Sequence, residues 1–157
     1  MNESSRQGGC ACGELRYSVR GDPMIIHGCH CSYCQRETGS ALAVNMLYER
    51  DRVELTGPVI EVPTPSESGK GQRILRCPSC HVAVSSHYPG GGDAVHFIRA
   101  GTLDDRSGVV PDVHIYTASK QDWVVLPEDA PAFEQFYSPK DVWSGETLRR
   151  WREAVSA

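Results

Sequence analysis

The chain has 157 residues, 39% of them hydrophobic and 23% charged, with a formal net charge of −4. A chain of this length can bury one core, and this composition argues against disorder. It offers no basic footprint for nucleic acid or an anionic membrane, and no apolar run approaches the roughly 18 residues of a membrane span.

The first residues, MNESSRQGG, are polar and lack the apolar middle of a secretory signal, so a cytoplasmic protein is expected. ELRYSVR (14–20) alternates in polarity and predicts a strand closed by a Gly21-Asp22-Pro23 turn. Residues 24–28 predict a short strand, and SYCQRET one or two helical turns closed by Gly39. ALAVNMLYE (41–49) predicts a buried strand and RVELTG (52–57) a short one. EVPTPSESGKGQ (61–72) predicts an exposed loop or hairpin tip. Strands follow at 72–77, 82–88, 94–101 and 113–116, with a turn at PGGGD (89–93). DWVVL (122–126) reads as a buried strand or packing segment, with Trp123 in the core. The tail SGETLRRWREAVSA (144–157) predicts an amphipathic surface helix starting at Ser144. The expected class is mainly β, a single domain over 1–157 with a short C-terminal helix.

Seven cysteines stand at 10, 12, 29, 31, 34, 77 and 80, and none stands alone. An odd number of clustered thiols without an export signal reads as metal ligands, with zinc the expected ion. In C-x-C, residues i and i+2 of an extended segment point the same way; in C-x-x-C, a tight turn makes two thiols converge. Two pairs close a four-thiolate site, and three cysteines remain for a site with a free position. Spacing alone leaves two divisions open. Either Cys10, Cys12, Cys77 and Cys80 combine, or Cys31/Cys34 joins Cys77/Cys80 in a ribbon.

The runs GGCACGELRYSVRGDP, CHCSYCQRETGSALA, RCPSCHVAV, AGTLDD and PDVHIYTASKQDWV resemble the family of glutathione-dependent formaldehyde-activating enzymes over about residues 8 to 125. The resemblance extends to the domain of centromere protein V, so it admits a non-catalytic, zinc-stabilised binding module beside an enzyme. It implies a zinc-stabilised fold of two small sheets, a β-tent, with a C-terminal extension carrying the helix at about 144–156. It further implies that Cys10, Cys12, Cys77 and Cys80 hold a structural zinc. Cys29, Cys31 and Cys34 would hold a second zinc with an exchangeable position, giving two zinc ions per chain. One position departs from the family pattern: His81 stands where glycine usually follows the last cysteine. Glycine there would mark a positive backbone angle, and His81 could instead donate a hydrogen bond to a zinc-bound sulfur.

An open three-thiolate zinc suits a soft fourth ligand, and a small-molecule thiol such as glutathione is the expected partner. The expected activity is a carbon–sulfur lyase or thiol-adduct synthase resembling S-(hydroxymethyl)glutathione synthase, with Cys29, Cys31 and Cys34 at its centre. A redox or metal-handling protein is the other class that such thiols admit. Among the remaining candidates, His30 reads as packed, and His27 and His114 as core or pocket residues. Arg36 is a possible carboxylate anchor beside Tyr33 and Thr38, and Asp104/Asp105 read as a turn.

Overall fold

The computed structural model describes residues 3–157; Met1 and Asn2, counted in the expected domain, lie outside them. Among the described residues there are ten strands and three α-helices, in two sheets. The smaller sheet has the order β1–β2–β5, formed by β1 (Ser5–Gly9), β2 (Arg16–Arg20) and β5 (Val53–Thr56). The larger has seven strands in the order β10–β3–β4–β9–β8–β7–β6. These are β3 (Ile25–Cys29), β4 (Ala43–Glu49), β6 (Ile60–Thr64), β7 (Gln72–Arg76), β8 (Ala83–His87), β9 (Val95–Arg99) and β10 (Val113–Ile115). Its pairings are antiparallel except β10 on β3, which is parallel. The helices are α1 (Ser32–Thr38), α2 (Pro139–Val142) and α3 (Gly145–Ser156), and none is long and apolar enough to cross a membrane.

Strand pleat divides the interior in two. In β2, Tyr17 and Val19 point inward with the preceding Leu15, while Arg16, Ser18 and Arg20 point outward. They pack on Met46 and Tyr48 of β4 and Ile98 of β9, filling the space between the sheets. The opposite face of the large sheet carries Ile25 and Cys29 of β3, Leu47 of β4 and Val95 of β9, packed with Tyr137 and Trp143. Strand β4 is therefore buried on both faces, as its near-continuous apolar sequence predicts.

Three elements escape a reading by pattern. Strand β1 is polar, and its place depends on close approach to β2. A Cβ at Gly8 would run into the Tyr17 hydroxyl and the Thr102 carbonyl. Strand β6 occupies part of the stretch expected to be loop. It is an edge strand, where Pro63 is tolerated because no partner needs its missing N–H. The segment 122–126 is neither strand nor core, with Trp123 71% and Val125 90% exposed. Lys120 Nζ turns that backbone by donating to the carbonyls of Gln121 (3.2 Å) and Val124 (2.8 Å). The exposed edge of β10 is taken instead by residues 131–135: His114 N–H donates to the Pro131 carbonyl and Phe133 N–H to the His114 carbonyl.

The sheet also buries a histidine that burial holds neutral. The His96 pKa is pulled down to about 4 by desolvation, with a further push from His87. Below the ordinary value of about 6.5, the unfolded chain takes a proton at this group that the native state refuses. Stability is therefore full above pH 6.5 and falls as pH drops toward 4, by about 3 kcal/mol from this group. We expect the thermal midpoint to fall across that window. His96→Asn, whose amide can take the place of Nδ1 in the 3.1 Å bond to Ser85 Oγ, should reduce the slope. An unchanged slope would assign the acid sensitivity elsewhere.

Candidate metal centres and the cavity above one of them

Cys10 and Cys12 lie on the turn between β1 and β2, and Cys77 and Cys80 on the turn between β7 and β8. The two hairpins belong to different sheets, yet their four sulfurs lie within 4.8 Å of one another. Cys12 Sγ is 3.5 Å from Cys10 Sγ and 3.6 Å from Cys77 Sγ. Thiolates at about 2.3 Å from a tetrahedral zinc are about 3.8 Å apart, so the spacing suits that ion and is too wide for a disulfide at about 2.05 Å. The ribbon pairing of Cys31/Cys34 with Cys77/Cys80 does not occur.

His81 has φ +64°, the left-handed angle expected of the glycine it replaces. Its N–H donates to the Cys77 carbonyl at 2.9 Å, and its own carbonyl accepts from Arg76 Nη1 at 3.0 Å. The imidazole is exposed and makes no hydrogen bond to a cluster sulfur among the described residues. The residue serves the turn rather than the sulfurs.

The second group assembles where β3 runs into α1. Cys29 ends β3, Cys31 is the N-cap of α1 and Cys34 sits in its first turn. Cys31 Sγ accepts the Cys34 N–H at 3.3 Å, while Gly39 at φ +63° closes the helix by donating to the Gln35 carbonyl. The three sulfurs lie within 4.8 Å, all buried, and no fourth His, Cys, Asp or Glu joins them among the described residues. Hydrogen bonding from Cys29 and Cys34 pulls the Cys31 pKa down to about 3. The same sharing with Cys31 and Cys34 holds Cys29 far above the ordinary thiol range. Contact with Cys29 pulls Cys34 down, but Cys31 and burial outweigh it and carry the pKa up to about 12. Alone, the group readily holds one negative charge; a divalent cation among the sulfurs lets all three ionise. Soft, convergent thiols of this kind fit zinc. Arg99, buried and without a carboxylate partner among the described residues, stands behind them. It donates to Asn45 Oδ1 at 2.7 Å and Ser86 Oγ at 2.8 Å, and its charge favours the ionised form of Cys34.

A cavity of about 410 Å³ opens on these three cysteines. His27 and Tyr33 line it, as a pocket role would require. His27 Nε2 lies 2.5 Å from the Tyr137 hydroxyl. His30 is packed away from it, 2.9 Å from His114 Nδ1, and is not a ligand. Arg36 lines a separate shallow depression with Gln121 and Trp123, so it cannot anchor a molecule in the cavity. Thr38 donates to the Cys34 carbonyl at 2.8 Å. Asp104 pairs with Arg16, and Asp105 accepts the Ser107 N–H, both in structural roles. Sequence reading missed the aromatic lining, above all Tyr88, Phe97, Tyr116, Phe136, Trp143 and Trp151. The signal available was Leu148 and Trp151, one turn apart on the inner face of α3.

Fold and site together define a mainly β protein with two thiol clusters able to hold metal ions. Residues 5–119 match the family model described as "Glutathione-dependent formaldehyde-activating enzyme", and the chain belongs to that family. No curated protein matches the sequence. Three solved chains match, among them a crystal structure of a Rhodobacter sphaeroides protein. It is 15% identical, with a TM-score of 0.45, covering 67% of this chain and 91% of its own. Family membership and the two clusters fit a zinc-binding enzyme of this type.

Proposed function

We propose that the protein makes and breaks carbon–sulfur bonds, adding a thiol such as glutathione to a carbonyl carbon. The observation that carries this reading is the group of three buried cysteines, which has no fourth protein ligand among the described residues and faces the cavity. In this reading Cys10, Cys12, Cys77 and Cys80 hold a structural zinc. Cys29, Cys31 and Cys34 would hold a second, with the substrate thiol bound beside them in the cavity. Zinc bound there supplies the positive charge that draws the proton from the substrate thiol near neutral pH. The three cysteines, already rich in negative charge, favour a soft sulfur over water as the incoming partner. Phe97, Trp143 and Trp151 keep water from the reacting atoms. Burial raises the pKa of Tyr88 and of Tyr116, so both stay neutral phenols. Each can donate a hydrogen bond to the carbonyl oxygen as it gains charge. One carbon–sulfur bond forms, the carbonyl π bond opens, and the proton lost by the thiol ends on the new hydroxyl. With glutathione and formaldehyde the product is S-hydroxymethylglutathione, and the reverse reaction is a lyase step.

Metal analysis with and without glutathione tests this. Two zinc equivalents per chain are expected, and in the cobalt-substituted protein glutathione should alter the thiolate-to-metal absorption of one site. A single equivalent, or spectra indifferent to glutathione, would sink the proposal.

A further inference from the structure

We infer that the adduct handled at this site carries a bulky apolar group, aryl in class, in place of the single carbon of formaldehyde; this rests on the carbon–sulfur reading above. A one-carbon electrophile needs almost no room beyond the sulfur. The cavity of about 410 Å³ falls in the range of roughly 300–1,000 Å³ typical of sites for larger organic ligands. Its wall is also unlike the rest of the site in origin. Phe136, Pro139, Trp143, Leu148, Trp151 and Arg152 all lie beyond residue 119, where the family match ends.

That wall is built into the fold. Trp143 Nε1 donates to the Tyr137 hydroxyl at 2.6 Å, leaving that oxygen's own proton free for His27 Nε2 on β3. The Trp143 and Trp151 rings meet at 5.2 Å. A Cβ on Gly91 would stand 3.1 Å from Trp151 Cη2, so the PGGGD turn is cut to the shape of this indole. Helix α3 is tied down by Thr147 Oγ1 donating to the Met24 carbonyl at 2.8 Å and by Arg150 paired with Glu49 at 2.6 Å. The rings therefore form a fixed apolar surface facing the thiols.

Apart from the thiols, the charged side chains that line the cavity are exposed ones at its mouth. Lys70 and Arg152 line the cavity there and make no ion pair among the described residues, with Glu67 beside them. Such an opening suits the carboxylates and ammonium of a peptide thiol like glutathione. Its sulfur then reaches the cysteines while the group on the carbonyl carbon lies along the rings. The step is balanced: thiolate sulfur bonds the aldehyde carbon, the π pair moves to oxygen, and that oxygen takes the proton the thiol released. Nothing is oxidised or reduced.

The test uses the full zinc-loaded chain and tryptophan fluorescence, a readout independent of turnover. S-benzylglutathione is expected to bind at least tenfold more tightly than S-methylglutathione. Trp151→Ala should erase most of that preference. Phe136→Ala should reduce it severalfold without disturbing the fold, since Phe136 is 46% exposed. By exchange NMR, glutathione should combine with phenylacetaldehyde faster than with formaldehyde once uncatalysed rates are subtracted. Equal binding of the two thioethers, or a benzyl preference intact in both variants, overturns the inference. If the cobalt spectrum answers to glutathione but the benzyl preference is missing, this inference alone fails. If the spectrum does not answer, the carbon–sulfur reading fails and takes this one with it.

Discussion

Cys31→Ser is expected to lose one of the two zinc equivalents and to lower thiol-adduct turnover roughly a thousandfold, the scale of several kcal/mol of lost charge stabilisation. The substitution is informative because it leaves the local fold its support. Cys31 caps α1 through its side chain, with φ −66° and ψ 156°. Serine is among the best residues for that position, so the helix keeps its cap. Cys31 is also the member of the group held most strongly as thiolate, through hydrogen bonds from Cys29 and Cys34. Removing it takes away the anion around which the other two thiols are arranged. Metal content, far-UV circular dichroism and adduct exchange rates check the three parts together. Unchanged turnover of every thiol adduct would refute the assignment of chemistry to this group.

Cys77→Ser should act on the opposite quantity. Cys77 is fully buried at the end of β7, and its cluster joins a hairpin of the small sheet to a hairpin of the large one. Structural zinc sites contribute roughly 10–16 kcal/mol in small domains, as much as the entire 5–15 kcal/mol of a typical fold. Loss of one sulfur should therefore abolish cooperative unfolding at 37 °C, and a strong chelator should do the same to the unaltered protein. A melting transition within a few degrees of the parent would show that the two sheets hold without the metal. The contrast separates the clusters: one substitution removes activity and spares the fold, the other removes both.

Where residues act through local geometry, the sequence could be read directly. The helix after Cys31, its end at Gly39 and the double burial of β4 follow from capping, a left-handed angle and an apolar run. The positive angle at His81 was not legible in this way, because histidine hides the signal that glycine would have given there. The partition of the cysteines did not follow from spacing, because i and i+2 or i+3 relations say which sulfurs converge locally and not which turns meet. That is settled when the small sheet folds against the large one. Trp123 and Trp143 look alike in sequence, yet one is 71% exposed and the other is buried with its N–H satisfied. The difference lies in the path of residues 131–135 along the β10 edge, which no local pattern encodes.

Strand β4 belongs to two interiors at once, with Met46 and Tyr48 on one side and Asn45 and Leu47 on the other. A slip of one residue would exchange these sets, sending a thioether and a phenol into the ligand space and an amide into the dry interior. The floor beneath the sulfurs is thus pinned by the same alternation that joins the sheets, and cannot be reshaped without unmaking the fold. The C-terminal helix is held instead by side-chain ties, Thr147 to the Met24 carbonyl and Arg150 to Glu49, and not by strand register. Exchanging Phe136 or Trp151 would therefore reshape the wall of the cavity while the register that sets its floor stays as it is.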